Sequence, residues 1–401
     1  MQRHRPSLGL AAAILIALLG LLGTAPPAAS AANDREAHAQ ALQDVPAAMR
    51  SYYDGFWYFS AVLPDPYESW TPPKAPVQFC YNDSYQGNSW RAAALAEYQK
   101  LVADFAKAGL AKPNLIVTNS NNNIDVQLSQ LQNQIRQGCN VILSIPSSPT
   151  GLCAGVQDAH KRGVLFVSVE SPVFCKEAIN VDFNEYYGGL QTGRWLAQAL
   201  GGKGSVVMLD GVPGLAPTVA RHEAAMSVFA QHPGIKVIGT VVGMWTPSIA
   251  KSKMLQFLAT HPQRIDGVWN GALMGVAAGQ ALSQSGRPAA RINGFSGSCS
   301  FLAYWKQNHL QSLSLSQGGA PALYEAFLVA ARMLQGQKPV VNTILYPLPE
   351  ITDANLDQWY KPSMTVQSNC FADPPDGRAV ADSYFDPLFK GGAPLKVALQ
   401  P

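Results

Sequence analysis

The sequence predicts an α/β protein of two doubly wound parallel-sheet lobes. From Val77 onward, short apolar runs alternate with segments whose apolar residues recur at helical spacing, with short connections between them. The same alternation starts again after Asp182. Of 401 residues, 47% are hydrophobic and only 14% charged, enough apolar material for two cores of ordinary domain size.

The elements follow in order. "VQFCY" reads as a strand and precedes a helix from about Ser89 to Ala108. "NLIVTNS" precedes the amphipathic "DVQLSQLQNQIRQG", "NVILSIP" precedes a helix through "GVQDAHKRG", and "VLFVSVE" follows. This βαβαβαβ series calls for a parallel sheet with helices on both faces. In the second half, "GSVVMLDG", "IKVIGTVVG", "IDGVWNG", "RINGFSG" and "LQSLSLSQ" read as strands. Between and after them, "APTVARHEAAMSVFAQ", "IAKSKMLQFLATH", "LMGVAAGQALSQSG" and "PALYEAFLVAARMLQG" read as helices. Two such units imply a cleft. Ligands of open α/β sheets sit outside the carboxyl ends of the strands, so the polar loops there are the candidate site.

Residues 1–32 have a basic start, the apolar "LAAAILIALLGLLG" and a small-residue cleavage region. That is the pattern of a secretory signal peptide, too short to span a bilayer, and it predicts an exported, periplasmic chain with the signal removed. Removing Arg3 and Arg5 leaves 27 basic against 26 acidic residues. A balance so close to neutral gives no reason to expect nucleic acid or an anionic membrane as partner. The flanks, 33–75 (rich in aromatics and proline) and 371–401, read as extensions packed on the surface. A partner site in the aromatic flank is the alternative.

Six cysteines in an exported chain make disulfides plausible, and their spacing matches no zinc site. Cys80 and Cys139 lie in apolar, strand-like contexts and read as buried free thiols. Cys153–Cys175 and Cys299–Cys370 are the expected pairs.

No catalytic group emerges. "GFSGS" misses the last glycine of a nucleophile elbow, the histidines form no H-E-x-x-H, and no P-loop is present. Asp182 and Glu185 flank a connection without a hydrolase pattern. No enzyme activity, cofactor or metal is expected.

Six motifs in order carry a family resemblance: "NDSYQGNSWR", "QLSQLQNQIRQGCNVILSIP", "VDFNEYYGGLQTGRWLA", "GGKGSVVMLDGVPG…ARHE", "DGVWNGALMGVAAGQAL" and "INGFSG". Over roughly Val77 to Glu350 the chain resembles the type I periplasmic solute-binding proteins of sugar ABC transporters, the group of the ribose- and galactose-binding proteins. The resemblance implies crossovers near Asp182–Asn184, Gln317–Gly318 and Leu345–Pro347, a three-segment hinge. Lobe I then comprises 76–182 with 319–345, and lobe II 183–318 with 346–370. It implies a monomer that captures a small neutral ligand, a sugar or polyol, by hinge closure and delivers it to an ABC permease. Sugar-responsive repressors share this fold, but the flank at 33–75 is not helix-turn-helix-like. A sensor that presents a less hydroxylated cyclic metabolite to a membrane receptor is the alternative.

The resemblance also places the ligand contacts. Trp90 and Arg91, at the first strand-to-helix junction, suit stacking on a sugar ring and a forked donation to hydroxyls. The residues alone equally allow a core tryptophan beside a solvated arginine. Ser84 and Asn88 belong to the same loop. Arg221 is expected to donate across the cleft, Gln317 to reach the ligand from the second crossover, and Trp245 to form the far wall. Three departures follow. Glu170–Ser171 stands where Asp-Arg is common, Gly271, with Asn270 just before it, where an asparagine or aspartate often follows "VW", and Ser296 where "GFDG" has its carboxylate. Fewer carboxylates suit a less hydroxylated ligand.

Overall fold

The computed structural model describes residues 36–56, 62–372, 374–375 and 378–393. The signal segment, residues 57–61 of the aromatic flank and 394–401 lie outside the described residues.

The first half runs β1 (Phe79–Asp83), α1 (Ser89–Lys107), β2 (Ile116–Asn119), α2 (Ile124–Arg136), β3 (Val141–Ile145), α3 (Cys153–Lys161), β4 (Leu165–Val169) and β5 (Ile179–Asp182). The second runs α4 (Glu185–Ala199), β6 (Lys203–Asp210), α5 (Ala216–Ala230), β7 (Gly234–Val242), α6 (Pro247–Thr260), β8 (Gly267–Asn270), α7 (Gly275–Gln284), β9 (Arg291–Ile292), α8 (Cys299–Gln307) and β10 (Leu313–Leu315). The remainder is α9 (Gly319–Leu334), β11 (Lys338–Pro339), β12 (Thr343–Leu345), β13 (Glu350–Thr352), α10 (Leu356–Trp359) and β14 (Phe389–Lys390).

One sheet has six strands in the order β12-β5-β4-β3-β1-β2, the other four in the order β7-β6-β8-β9. All pairs in both are parallel. Strands β1, β3, β4 and β5 are buried along their whole length, as parallel strands covered on both faces must be. Asparagines start three of the helices: Asn88, Asn123 and Asn184 each accept a backbone N–H at the first turn of α1, α2 and α4. Such a cap is worth about 1 kcal/mol to a helix. Helix α9 lies against α1, where a Cβ on Gly319 would come within 2.1 Å of the Trp90 carbonyl.

Three segments join the lobes after β5, between β10 and α9, and between β12 and β13, and they are tied to each other. Tyr346 N–H donates to Asp182 O at 3.1 Å, and Ser316 N–H to Pro349 O at 2.8 Å.

The flanks do more than lie on the surface. Tyr53, Phe56, Val62 and Tyr67 from the first, and Phe385 and Leu388 from the last, are buried in the main core. The reason is the open edge of β12, whose polar groups need partners. Tyr53 Oη donates to Thr343 O at 2.9 Å, and Leu63 and Asn342 exchange bonds of 2.8 Å. Asn184, in the first crossover, donates to Tyr52 O and Asp54 O. Tyr384 Oη donates to Leu345 O at 2.8 Å, and β14 pairs with β11.

Disulfides join Cys153–Cys175, Cys299–Cys370 and Cys80–Cys139. The last pair corrects the reading of Cys80 and Cys139 as free thiols. An apolar strand context shows that a sulfur is buried, but not that the loop leading into β3 brings a second sulfur beside β1. Closing this 59-residue separation restricts the unfolded chain, worth about 4 kcal/mol in the loop-entropy account. Cys80→Ala/Cys139→Ala should therefore fold with a lower urea midpoint than the parent. Thiol titration of the denatured, unreduced parent should find none; reactive thiol there would contradict the pairing.

Candidate functional site

In the first sheet β1 lies between β2 and β3, and in the second β6 lies between β7 and β8. Strand order reverses at each place, so the loops beyond those strand ends part and leave a crevice. The two crevices face each other across a cavity of about 410 Å³.

Loops after β1, β3 and β4 form one wall. Ser84, Tyr85, Asn88, Trp90 and Arg91 come from the first, Pro146 and Ser147 from the second, Glu170 and Ser171 from the third. Asn88 Oδ1 accepts the Arg91 N–H at 2.9 Å, which seats the helix and turns Trp90 and Arg91 toward the cavity. Trp90 is only 7% exposed. Its indole N–H donates to Gln317 O at 3.2 Å, so one ring is both core and cavity wall and ties the first loop to the second crossover. Arg91 is paired with Asp83, reaches Ser84 Oγ at 3.4 Å and lies over the Trp90 ring.

The opposite wall is more apolar: Val212, Leu215 and Pro217 after β6, Met244, Trp245 and Ile249 after β7, Ala272 and Leu273 after β8. Trp245 packs against Gly211, where a Cβ would sit 2.0 Å from the indole. Only glycine permits that approach. Asn122, Glu170, Met244, Trp245, Leu273 and Ser296 line the cavity with φ between 50° and 78°, where a non-glycine side chain is strained. Of the other described non-glycine residues, only Asn121 and His309 have positive φ. Backbone strain is thus gathered at this place.

Charge is gathered there too. Arg221, 4% exposed, grips both carboxylate oxygens of Glu185. It also donates to Gly271 O at 2.9 Å and Gln317 Oε1 at 3.2 Å, and stacks 4.0 Å from the Phe295 ring centre. Burial pushes Glu185 up and Arg221 opposes it. Burial also pushes Asp182 well above the usual carboxylate range, with Glu185 and Glu170 adding to the shift. Glu170 is pushed to about 8, by burial first and by Glu185 next among the raising influences, against Gln317, Arg221 and Arg91.

The two arginines of this split cavity, Arg91 and Arg221, are each paired with a buried carboxylate. The model of a periplasmic binding protein domain matches residues 83–338. A xylitol-binding protein of Mycolicibacterium smegmatis is 30% identical over 245 residues, 61% of this chain and 70% of that protein. The chain belongs to the periplasmic binding proteins. A ribose import binding protein of Bacillus subtilis is 26% identical over 238 residues, 58% of this chain and 75% of that one. An ABC transporter solute-binding protein of Thermobispora bispora superposes with a TM-score of 0.66 at 23% identity, over 78% of this chain and 94% of that one. Periplasmic binding proteins of this family are exported solute binders.

In this periplasmic binding protein, Ser84, Asn88, Trp90, Arg91, Glu170, Arg221, Trp245, Ser296 and Gln317 all line the cavity. Asn270 does not. It ends β8 facing inward, exchanges bonds with Asn293 and accepts Met274 N–H at 3.3 Å, so it builds the loop rather than the wall. Glu185, Leu273 and Asn122 were not singled out as wall residues. Glu185 had a usable signal, a carboxylate at a crossover in a chain with an unpaired arginine to place; the strained turns had none.

Arg221 has its donors engaged by protein groups, which makes it a keystone of the wall. Arg221→Ala should destabilise the protein by about 3–5 kcal/mol, because it leaves Glu185 buried without a cation. Arg221→Met/Glu185→Leu should recover much of that loss in urea denaturation. A single variant as stable as the parent would contradict this role.

Proposed function

We propose that this protein captures a small neutral sugar or polyol between its lobes and delivers it to an ABC permease. It acts in the periplasm as a monomer after loss of its signal segment, and makes or breaks no bond. One observation carries the reading: loops at the carboxyl ends of both sheets enclose a single cavity of about 410 Å³, with the indoles of Trp90 and Trp245 among its walls. Indole faces stack on the C–H faces of sugar rings. Ser84, Asn88, Ser296 and Gln317 supply neutral partners for hydroxyls. The xylitol-binding and ribose-binding relatives support this ligand class.

A ligand touching both walls makes its full contacts only when the lobes meet, so binding favours the closed arrangement. Release then requires the lobes to part, a step a permease that grips both lobes can drive. The apolar wall at Val212, Leu215, Met244 and Ile249 favours a second reading, a sensor protein that presents a less hydroxylated cyclic metabolite to a membrane receptor.

A melting screen of sugars, polyols and aromatic acids separates the two. A ligand of micromolar affinity at millimolar concentration stabilises the folded state by about 4 kcal/mol. Raised melting with sugars or polyols supports the first reading. Stabilisation by aromatic acids alone overturns it.

A further inference from the structure

Among the described residues of the cavity wall, Glu170 is the one acidic side chain without an ion pair. It lines the cavity, is 8% exposed, and sits on a backbone held at φ 53°. Its Oε1 has no hydrogen-bond partner. Gln317, whose Oε1 accepts from Arg221 at 3.2 Å, neighbours the carboxyl and favours its ionised form. Oε1 is enclosed as well as unpartnered, so a proton offered to the cavity belongs on the other carboxyl oxygen, Oε2.

The surroundings keep that proton in place. Arg221 is committed to Glu185, and Arg91 to Asp83. The remaining ionisable neighbours are Asp182 at the end of β5 and the phenols Tyr81 in β1 and Tyr346 after β12. None of these brings a positive charge. Ionising a buried carboxyl among other acids is costly, and burial outweighs the opposing pull of Gln317, Arg221 and Arg91, which holds it neutral. Its shift to about 8, well above an ordinary glutamate, has this cause. A buried carboxylic acid kept neutral at pH 7 is a hydrogen-bond donor, as in enzymes that stabilise oxyanions with a protonated aspartate.

We propose that Glu170 is a specificity-determining residue that acts as a neutral acid, donating its carboxyl proton to an oxygen of the bound ligand instead of accepting from a hydroxyl. The inference rests on the sugar or polyol reading and deepens it. The ligand must place an acceptor oxygen, from a hydroxyl, ring or carbonyl group, opposite Glu170. A methylene at that place leaves a buried donor unmet.

The two roles predict opposite pH behaviour. A donor loses its function as pH rises through its own titration, so affinity is level from pH 6 to 7 and about tenfold weaker at pH 9. An accepting carboxylate would strengthen over the same interval. The experiment is titration calorimetry with xylitol, ribose and myo-inositol at pH 6, 7, 8 and 9, on the parent and on Glu170→Gln and Glu170→Ala. Gln keeps a donor but has no proton to lose. The alkaline weakening should therefore disappear in Glu170→Gln while that variant still binds more tightly than Glu170→Ala. Its level profile also separates titration of Glu170 from titration of Asp182 and from alkaline loosening of the fold. Affinity that rises toward pH 9 in the parent, or a weakening that persists in Glu170→Gln, overturns the inference and leaves the sugar or polyol reading standing. Absence of binding by all three probes at every pH overturns that reading, and the inference with it.

Discussion

The buried pair of Arg221 and Glu185 is the constraint on which the rest of the site depends. Glu185 opens α4 just past the first crossover, and Arg221 lies in α5. The same guanidinium reaches the Gly271 carbonyl beyond β8 and the Gln317 side chain in the second crossover. Two helices, a strand end and a hinge segment are thus fixed by one planar fork. Lysine, a point charge on a flexible stem, cannot hold four directions at once. Helix α4 must also come close to α5: a Cβ on Gly189 would fall 2.5 Å from the Arg221 carbonyl. The small residues of "YYGGLQTG" allow the helices to approach until the fork closes.

The flanking segments add a second constraint, on the hinge. Residues before the first strand hold Asn184, Thr343 and Leu345, and Tyr384 beyond the family match holds Leu345 again. Two of the three crossovers are thus bonded at their edges by chain outside residues 83–338. Hinge segments must change their dihedral angles for the lobes to part. Here they do so under a cover of tyrosine hydrogen bonds, which limits the paths the movement can take.

Much of the fold was legible in the sequence, because period and burial are properties of local sequence. The apolar runs at 79–83, 141–145 and 165–169 are strands buried on both faces, and the helix expected from about Ser89 begins there. The wall residues of the first loop were legible only through the family resemblance, because the residues alone equally allowed a core tryptophan beside a solvated arginine. What escaped depends on contacts between distant segments. Cys80 and Cys139 meet because β1 and β3 are neighbours. Asn270 turns inward because Asn293 waits across the strand ends. The turn from Gly243 to Thr246 places Met244 and Trp245, neither glycine nor asparagine, at its two positive-φ positions; Gly211, which makes room for the indole, stands on another strand's loop.

The central claim is that one ligand touches both walls at once. Fluorine NMR of protein labelled with 5-fluorotryptophan tests it most directly, with resonances assigned by single Trp→Phe replacements. Titration with a sugar or polyol that raises the melting temperature should shift the signals of Trp90 and Trp245 together, with one midpoint. Trp269 and Trp305, buried in the second lobe away from the cavity, should stay in place. Movement of only one wall tryptophan at saturation, or shifts with two separate midpoints, would contradict a site shared between the lobes.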